Sequence, residues 1–139
     1  MRLSLLLILL LTSCKLSPEF GDSEPDRVSF NIYSQENDTF KEIRIYGKEV
    51  KNGILVPFDS TIFNARNRDG TDETFDKNEP FGLAFFADSL LEIQNGSFEA
   101  VAVTKSDSLI KKNFGQITAG KAKPAFRITL TPAGIKVDE

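Results

Sequence analysis

The chain has 139 residues, with 17 lysines and arginines against 20 acids, a single cysteine, and neither histidine nor tryptophan. Without histidine there is no Ser-His-Asp triad, no imidazole base and no histidine metal ligand, and one cysteine cannot form a disulfide within the chain. The net charge of −3 argues against nucleic acid as a partner and against polybasic attraction to anionic lipid, while the length suits one domain with a single core.

Met1 to Cys14 opens on Arg2, is apolar from Leu3 to Leu11 apart from Ser4, and closes on small residues before Cys14. That is the three-part layout of an export signal. A helix of about ten residues spans roughly 15 Å, half a hydrocarbon core, so it is too short for a permanent transmembrane span. Leu11-Thr12-Ser13-Cys14 resembles the lipobox of bacterial lipoproteins, with an apolar residue three before the cysteine and a small one directly before it. The resemblance implies a signal peptide over residues 1–13, cleavage before Cys14, and lipidation of Cys14 on its sulfur and new amino group. One acyl chain holds a protein marginally, whereas two or more hold it stably, so the membrane partner would be engaged through lipid on Cys14. An uncleaved signal anchor is the alternative. Lipoproteins of this kind stay at the inner membrane when aspartate follows the cysteine. Lys15 stands there instead. The outer membrane is therefore expected, with the periplasmic face and the cell surface both open.

Residues 14–26 read as the lipidated cysteine and a flexible tether, because Lys15 to Arg27 (KLSPEFGDSEPDR) has prolines, a glycine and acids but no hydrophobic period. An edge strand through Leu16 and Phe20 is the alternative. From residue 27 to 139 the chain is punctuated like a β-protein. Val28, Phe30 and Ile32 alternate with Ser29 and Asn31, and Ile43 and Ile45 with Glu42 and Arg44, which is the period of half-buried strands. Asn52-Gly53 and Asn95-Gly96 both suit two-residue turns with positive φ, so each predicts a hairpin. The second is the stronger of the two, since Leu91 and Ile93 lead in and Phe98, Val101 and Val103 lead out. Phe81 to Ala87 (FGLAFFA) reads as a central strand buried on both faces, with a short helix as the alternative. Ser106 to Lys112 (SDSLIKK) reads as a capped helical turn. In the final strand, Phe126, Ile128 and Leu130 face inward while Arg127, Thr129 and Thr131 face water.

These elements predict an all-β fold, an antiparallel sandwich of seven to eight strands or a small barrel, with most of the twelve phenylalanines in its core. Ile45-Tyr46-Gly47, Val50, Asn52-Gly53 and Val56-Pro57 resemble the opening strand, turn and second strand of carboxypeptidase regulatory-like domains. Gly96-Ser97-Phe98 resembles that family's glycine-aromatic strand start, and Ile128 to Pro132 its closing strand. The resemblance implies a transthyretin-like sandwich with no catalytic residues; an immunoglobulin-like sandwich is the alternative.

Asn64 to Glu79 (NARNRDGTDETFDKNE) gathers carboxylates of the kind calcium takes, with Asp69, Asp72, Glu73 and Asp76 as the candidate ligands. An EF-hand register fails, because the first ligand position falls on Ala65 and the last on Asp76, so the stretch reads as a solvated loop crossing between sheets, without metal. Lys111, Lys112, Lys121 and Lys123 read as a solvated surface. No cofactor is implied. The expected function is a non-enzymatic binding or scaffolding module of the bacterial envelope with another envelope protein as partner. The alternative is a carrier of a small hydrophobic ligand in a barrel cavity. An enzyme would need two acids converging in a cleft, and the spacing places no such pair.

Overall fold

The computed structural model describes residues 26–139, so Cys14, the signal segment and nearly all of the tether lie outside the described residues. Among the described residues, nine strands form two sheets. One sheet runs β4 (Phe81–Phe86), β1 (Arg27–Ser34), β8 (Ala125–Thr131), β9 (Gly134–Asp138). The other runs β3 (Ile54–Asn64), β2 (Phe40–Lys51), β5 (Asn95–Thr104), β6 (Leu109–Thr118), β7 (Lys121–Ala122). We refer to them as the β1 sheet and the β2 sheet. All pairings between these strands are antiparallel except β1 with β8, which run parallel at the centre of their sheet. β1 and β2 lie in different sheets. The fold is thus an all-β sandwich, with nine strands among the described residues where seven to eight were expected.

The sheets bury one face each because their apolar residues recur with period two. Val28, Phe30 and Ile32 of β1, Ile43 and Ile45 of β2, Phe98, Ala100 and Ala102 of β5, and Phe126, Ile128 and Leu130 of β8 are all buried. At the centre the Phe30 ring meets those of Phe85, Phe98, Phe114 and Phe126, with centroids 5.2 to 5.9 Å apart. Three contacts are edge-on and one is stacked, the arrangements that the ring quadrupole favours. The rings fill the interior rather than line a cavity, and both sheets keep open edges, so the architecture is a sandwich and not a closed barrel.

Asn52-Gly53 forms the expected turn between β2 and β3, with φ of 53° and 78° at its two residues. Five local expectations need correction. Asn95-Gly96 is no hairpin turn: it opens β5, where Gly96 pairs with Glu49 and Ile117. Leu91 and Ile93, expected to lead into it as a strand, lie in a turn that follows the 3-10 turn Ala87–Leu90. Ser106 to Lys112 is not helical. Thr104 and Ser108 close a turn containing Asp107 at φ 67°, and Leu109 onward is β6. Phe81–Phe86 is a strand but lies at the edge of its sheet, with only one face turned inward and Phe86 77% exposed. Thr131 is buried, because its hydroxyl donates to the Gly134 carbonyl at 2.9 Å in the turn to β9. β8 is therefore an inner strand, and β9 closes the domain.

Gly47 and Gly115 are among the glycines that allow close approach. Phe58, the extra residue of a bulge between β2 and β3, lays its ring across Gly47, where an added Cβ would lie 2.5 Å from the ring. Gly115, at φ 62°, forms a bulge in β6 beneath the Phe126 ring.

The face assignment of β8 is directly testable. Ile128 is fully buried and Thr129 half-buried on the opposite face. Ile128→Ala is expected to cost about 2 to 5 kcal/mol, against under about 1 for Thr129→Ala. Urea denaturation reads the difference, and equal midpoints would contradict the strand's orientation.

Candidate functional site

The outer face of the β2 sheet holds a shallow groove of about 450 Å³. Its floor comes from β5, whose sequence alternates Ala100 and Ala102 toward the core with Val101 and Val103 away from it. Both valines are nonetheless buried, at 6% and 9% exposure. What covers them are long side chains of the neighbouring strands. Register places Val101 between Arg44 and Lys111, and Val103 between Glu42 and Leu109. Tyr46 and Lys48 extend the wall along β2, and Pro57 of β3 closes one side. Lys48 and Glu99 form an ion pair at 2.8 Å, with side chains only 19% and 14% exposed. Partial burial makes such a pair stiffer than a freely solvated one. Arg44 bonds to Glu42, which raises the guanidinium's affinity for its proton. The groove therefore offers an apolar floor, a tyrosine and both signs of charge, held in place by the cross-strand Lys48–Glu99 pair and by the Arg44–Glu42 pair along β2. Sequence reasoning placed Arg44 and Lys111 on solvated surface and did not gather these residues into a site. The available signal was that β5 is apolar at consecutive positions, which marks a strand covered on both faces.

The acidic stretch is pinned to the domain. After β3 it crosses from the β2 sheet to the β1 sheet, with Phe75 buried in its middle and its amide bonded to the Phe40 carbonyl at 2.8 Å. The four candidate calcium ligands are parted. Asp69 accepts from the Thr71 hydroxyl and amide, at 2.6 and 3.0 Å, bonds that lower its pKa. Asp72 pairs with Lys41 at 3.3 Å and Arg66 at 4.0 Å. Lys41 also reaches Asp107 at 2.8 Å, and the Asp107 and Asp72 bonds raise its pKa. Glu73 and Asp76 lie along a second groove of about 440 Å³, beside Phe63, Phe75 and Phe81, and Glu73 also borders the hollow that Asp72 and Lys41 line. Among the described residues no three acidic or thiol groups come together as a metal-holding set. Of the late lysines, Lys111 joins the groove wall while Lys123 stands over the Phe126 ring at 5.8 Å, so they do not act as one cluster.

Among the described residues no helix is long and apolar enough to cross a membrane. No family pattern and no curated protein matches the chain. Among solved structures it is similar to a protein from Eubacterium rectale, determined by NMR, at 11% identity and TM-score 0.44, over 81% of this chain and 87% of that one. It is also similar to the membrane-binding domain of pneumolysin, at 10% identity and TM-score 0.35, over 81% and 94%. Likenesses this distant say nothing of function.

Proposed function

We propose that the protein is a lipid-anchored, non-enzymatic module of the bacterial envelope that binds another envelope protein through the outer face of the β2 sheet. The observation that carries this reading is the groove over Val101 and Val103, whose walls combine Tyr46, Arg44 and Leu109 with the Lys48–Glu99 pair. Tyrosine and arginine around a desolvated apolar centre are the side chains that carry binding energy at protein interfaces. The lipobox-like Leu11 to Cys14 supports the anchor, and Lys15 supports the outer membrane as its destination. The resemblance of Ile45 to Pro57 and Gly96 to Phe98 to carboxypeptidase regulatory-like domains supports an accessory module. A carrier of small hydrophobic ligands has less support, since the central phenylalanines pack on one another.

The test is photo-crosslinking in cells, with the reactive residue at Tyr46 or Leu109 and, as reference, at Lys136, exposed on the outer face of the β1 sheet. One protein adduct common to the two groove positions is expected, reduced at least several-fold by Lys48→Glu. No adduct, or the same adduct from Lys136, would reject the groove. Cys14→Ser in the same cells is expected to yield an uncleaved precursor or a soluble protein, since among the described residues no helix is long and apolar enough to cross a membrane. A variant still cut, and still membrane-bound after high-salt washing, would reject the anchor.

A further inference from the structure

Eight large apolar side chains of the described residues are exposed, and their distribution is uneven. The three most exposed are Phe86 at 77%, Ile54 at 67% and Leu91 at 62%. All three lie at the same end of the sandwich. Phe86 ends β4 opposite Arg27 at the start of β1. Leu91 follows the 3-10 turn and packs under Gly120 of the β6–β7 turn. Ile54 is at the tip of the β2–β3 hairpin, which extends past the pairing of Glu49 with Gly96 at the start of β5. Val50 and Leu55 of the same hairpin are also exposed. The opposite end carries the polar loop of residues 65–80 and the β5–β6 turn, with the other three exposed apolar side chains, Ile62, Phe63 and Leu109, beside them.

This apolar end is also where the chain enters the domain. Asp26 accepts a bond from the Ala87 amide at 2.8 Å, directly beside Phe86. The twelve chain steps from Cys14 to Asp26 reach at most about 40 Å. A lipid on Cys14 therefore confines this end to the neighbourhood of the bilayer surface, where weak insertion suffices because the anchor already supplies the encounter. Charge does not drive it: Arg27 pairs with Asp26 at 3.4 Å, Lys51 pairs with Glu49, and Asp88 lies in the 3-10 turn with Glu92 just after it.

We propose that the end bearing Phe86, Leu91 and Ile54 docks on the phospholipid surface of the anchoring membrane, seating these side chains at the headgroup boundary. The domain then stands on the membrane by this end, with the groove of the β2 sheet facing sideways. The proposal rests on the lipid anchor at Cys14, and its test keeps the two apart. The chain from Cys14 onward, with its sole cysteine coupled to a maleimide lipid in phosphatidylcholine vesicles, is anchored by chemistry and not by the cell.

The chain has no tryptophan, so Phe86→Trp supplies a single reporter, and Ser106→Trp in the β5–β6 turn reports the other end. With brominated phosphatidylcholine, the emission of F86W is expected to fall at least two-fold and shift to the blue, independently of salt, while S106W stays unchanged. Adding Ile54→Asp and Leu91→Asp to F86W should abolish the quenching with the far-ultraviolet spectrum intact. Equal quenching of the two reporters, or none of F86W, would overturn the proposal. A blue shift of F86W emission without vesicles would mean that the tether's Leu16 and Phe20 cover this end. A shift that grows with protein density but not with bromine would mean a second copy does. Either result would also overturn it. Loss of anchoring in cells with quenching retained on vesicles would instead count against lipidation alone.

Discussion

Phe30→Ala is expected to destabilise the domain by about 3 to 5 kcal/mol, the range for removing a fully buried aromatic ring. Phe30 has no exposed surface and touches rings from four other strands, β4, β5, β6 and β8, so its loss opens a void that both sheets border. Its neighbours cannot close in freely, because Gly115 and the Phe126 ring are already in close contact. A single domain holds only about 5 to 15 kcal/mol in total, and this one has no disulfide to limit the unfolded chain. In urea the midpoint should fall by about 2 M at the slopes usual for small domains. Phe30→Leu, which keeps most of the volume, should lose less than half as much. A midpoint unchanged by Phe30→Ala would mean that the five-ring cluster is not the centre of the core.

Gly96→Ala is expected to cost about 3 kcal/mol or more, the upper part of the range for overpacking, because its Cβ would stand 2.3 Å from the Lys48 carbonyl oxygen. The obstacle is backbone of β2, so relief requires β2 and β5 to part at the centre of their sheet. Gly53→Ala meets nothing within 4 Å and suffers only the strain of φ at 78°, about 1 to 2 kcal/mol. The pair of variants is informative because both glycines follow asparagine. Were Asn95-Gly96 a type I′ turn, the two substitutions would cost alike. Thermal or urea denaturation of both variants decides between a turn and a close approach.

That contrast shows where local sequence stops being decisive. Asn-Gly states only that the backbone tolerates positive φ. At Asn52 that tolerance is used, and at Gly96 the missing side chain is used instead, to let the backbone of Lys48 on another strand pass close by. Strands β1, β2 and β8 were legible because each has one buried face, and a period of two is then written directly into the residue order. β6 was not, because the Gly115 bulge breaks the alternation, leaving Leu109 and Ile110 before two lysines to read as a helical turn. Ile135 and Val137 alternate too, but a strand of five residues carries too few positions to stand out.

The all-β class, the core phenylalanines and the lipobox-like string are properties of neighbouring residues, so the amino-acid order determines their recognition. Edge against centre is not of that kind. FGLAFFA is apolar nearly throughout, yet β4 lies outside β1 with Phe86 in solvent, since only strand order decides which face is covered. The groove over Val101 and Val103 likewise arises from the register of β2 and β6 against β5, and the acids of residues 69–76 part because Lys41, Thr71 and the burial of Phe75 draw the loop in different directions. Phe86, Leu91 and Ile54 are far apart in the chain and meet at one end only because β3 leaves, and β4 reaches, the side of the sandwich where β1 begins. Those arrangements depend on contacts between distant parts of the chain, and only the tertiary structure decides them.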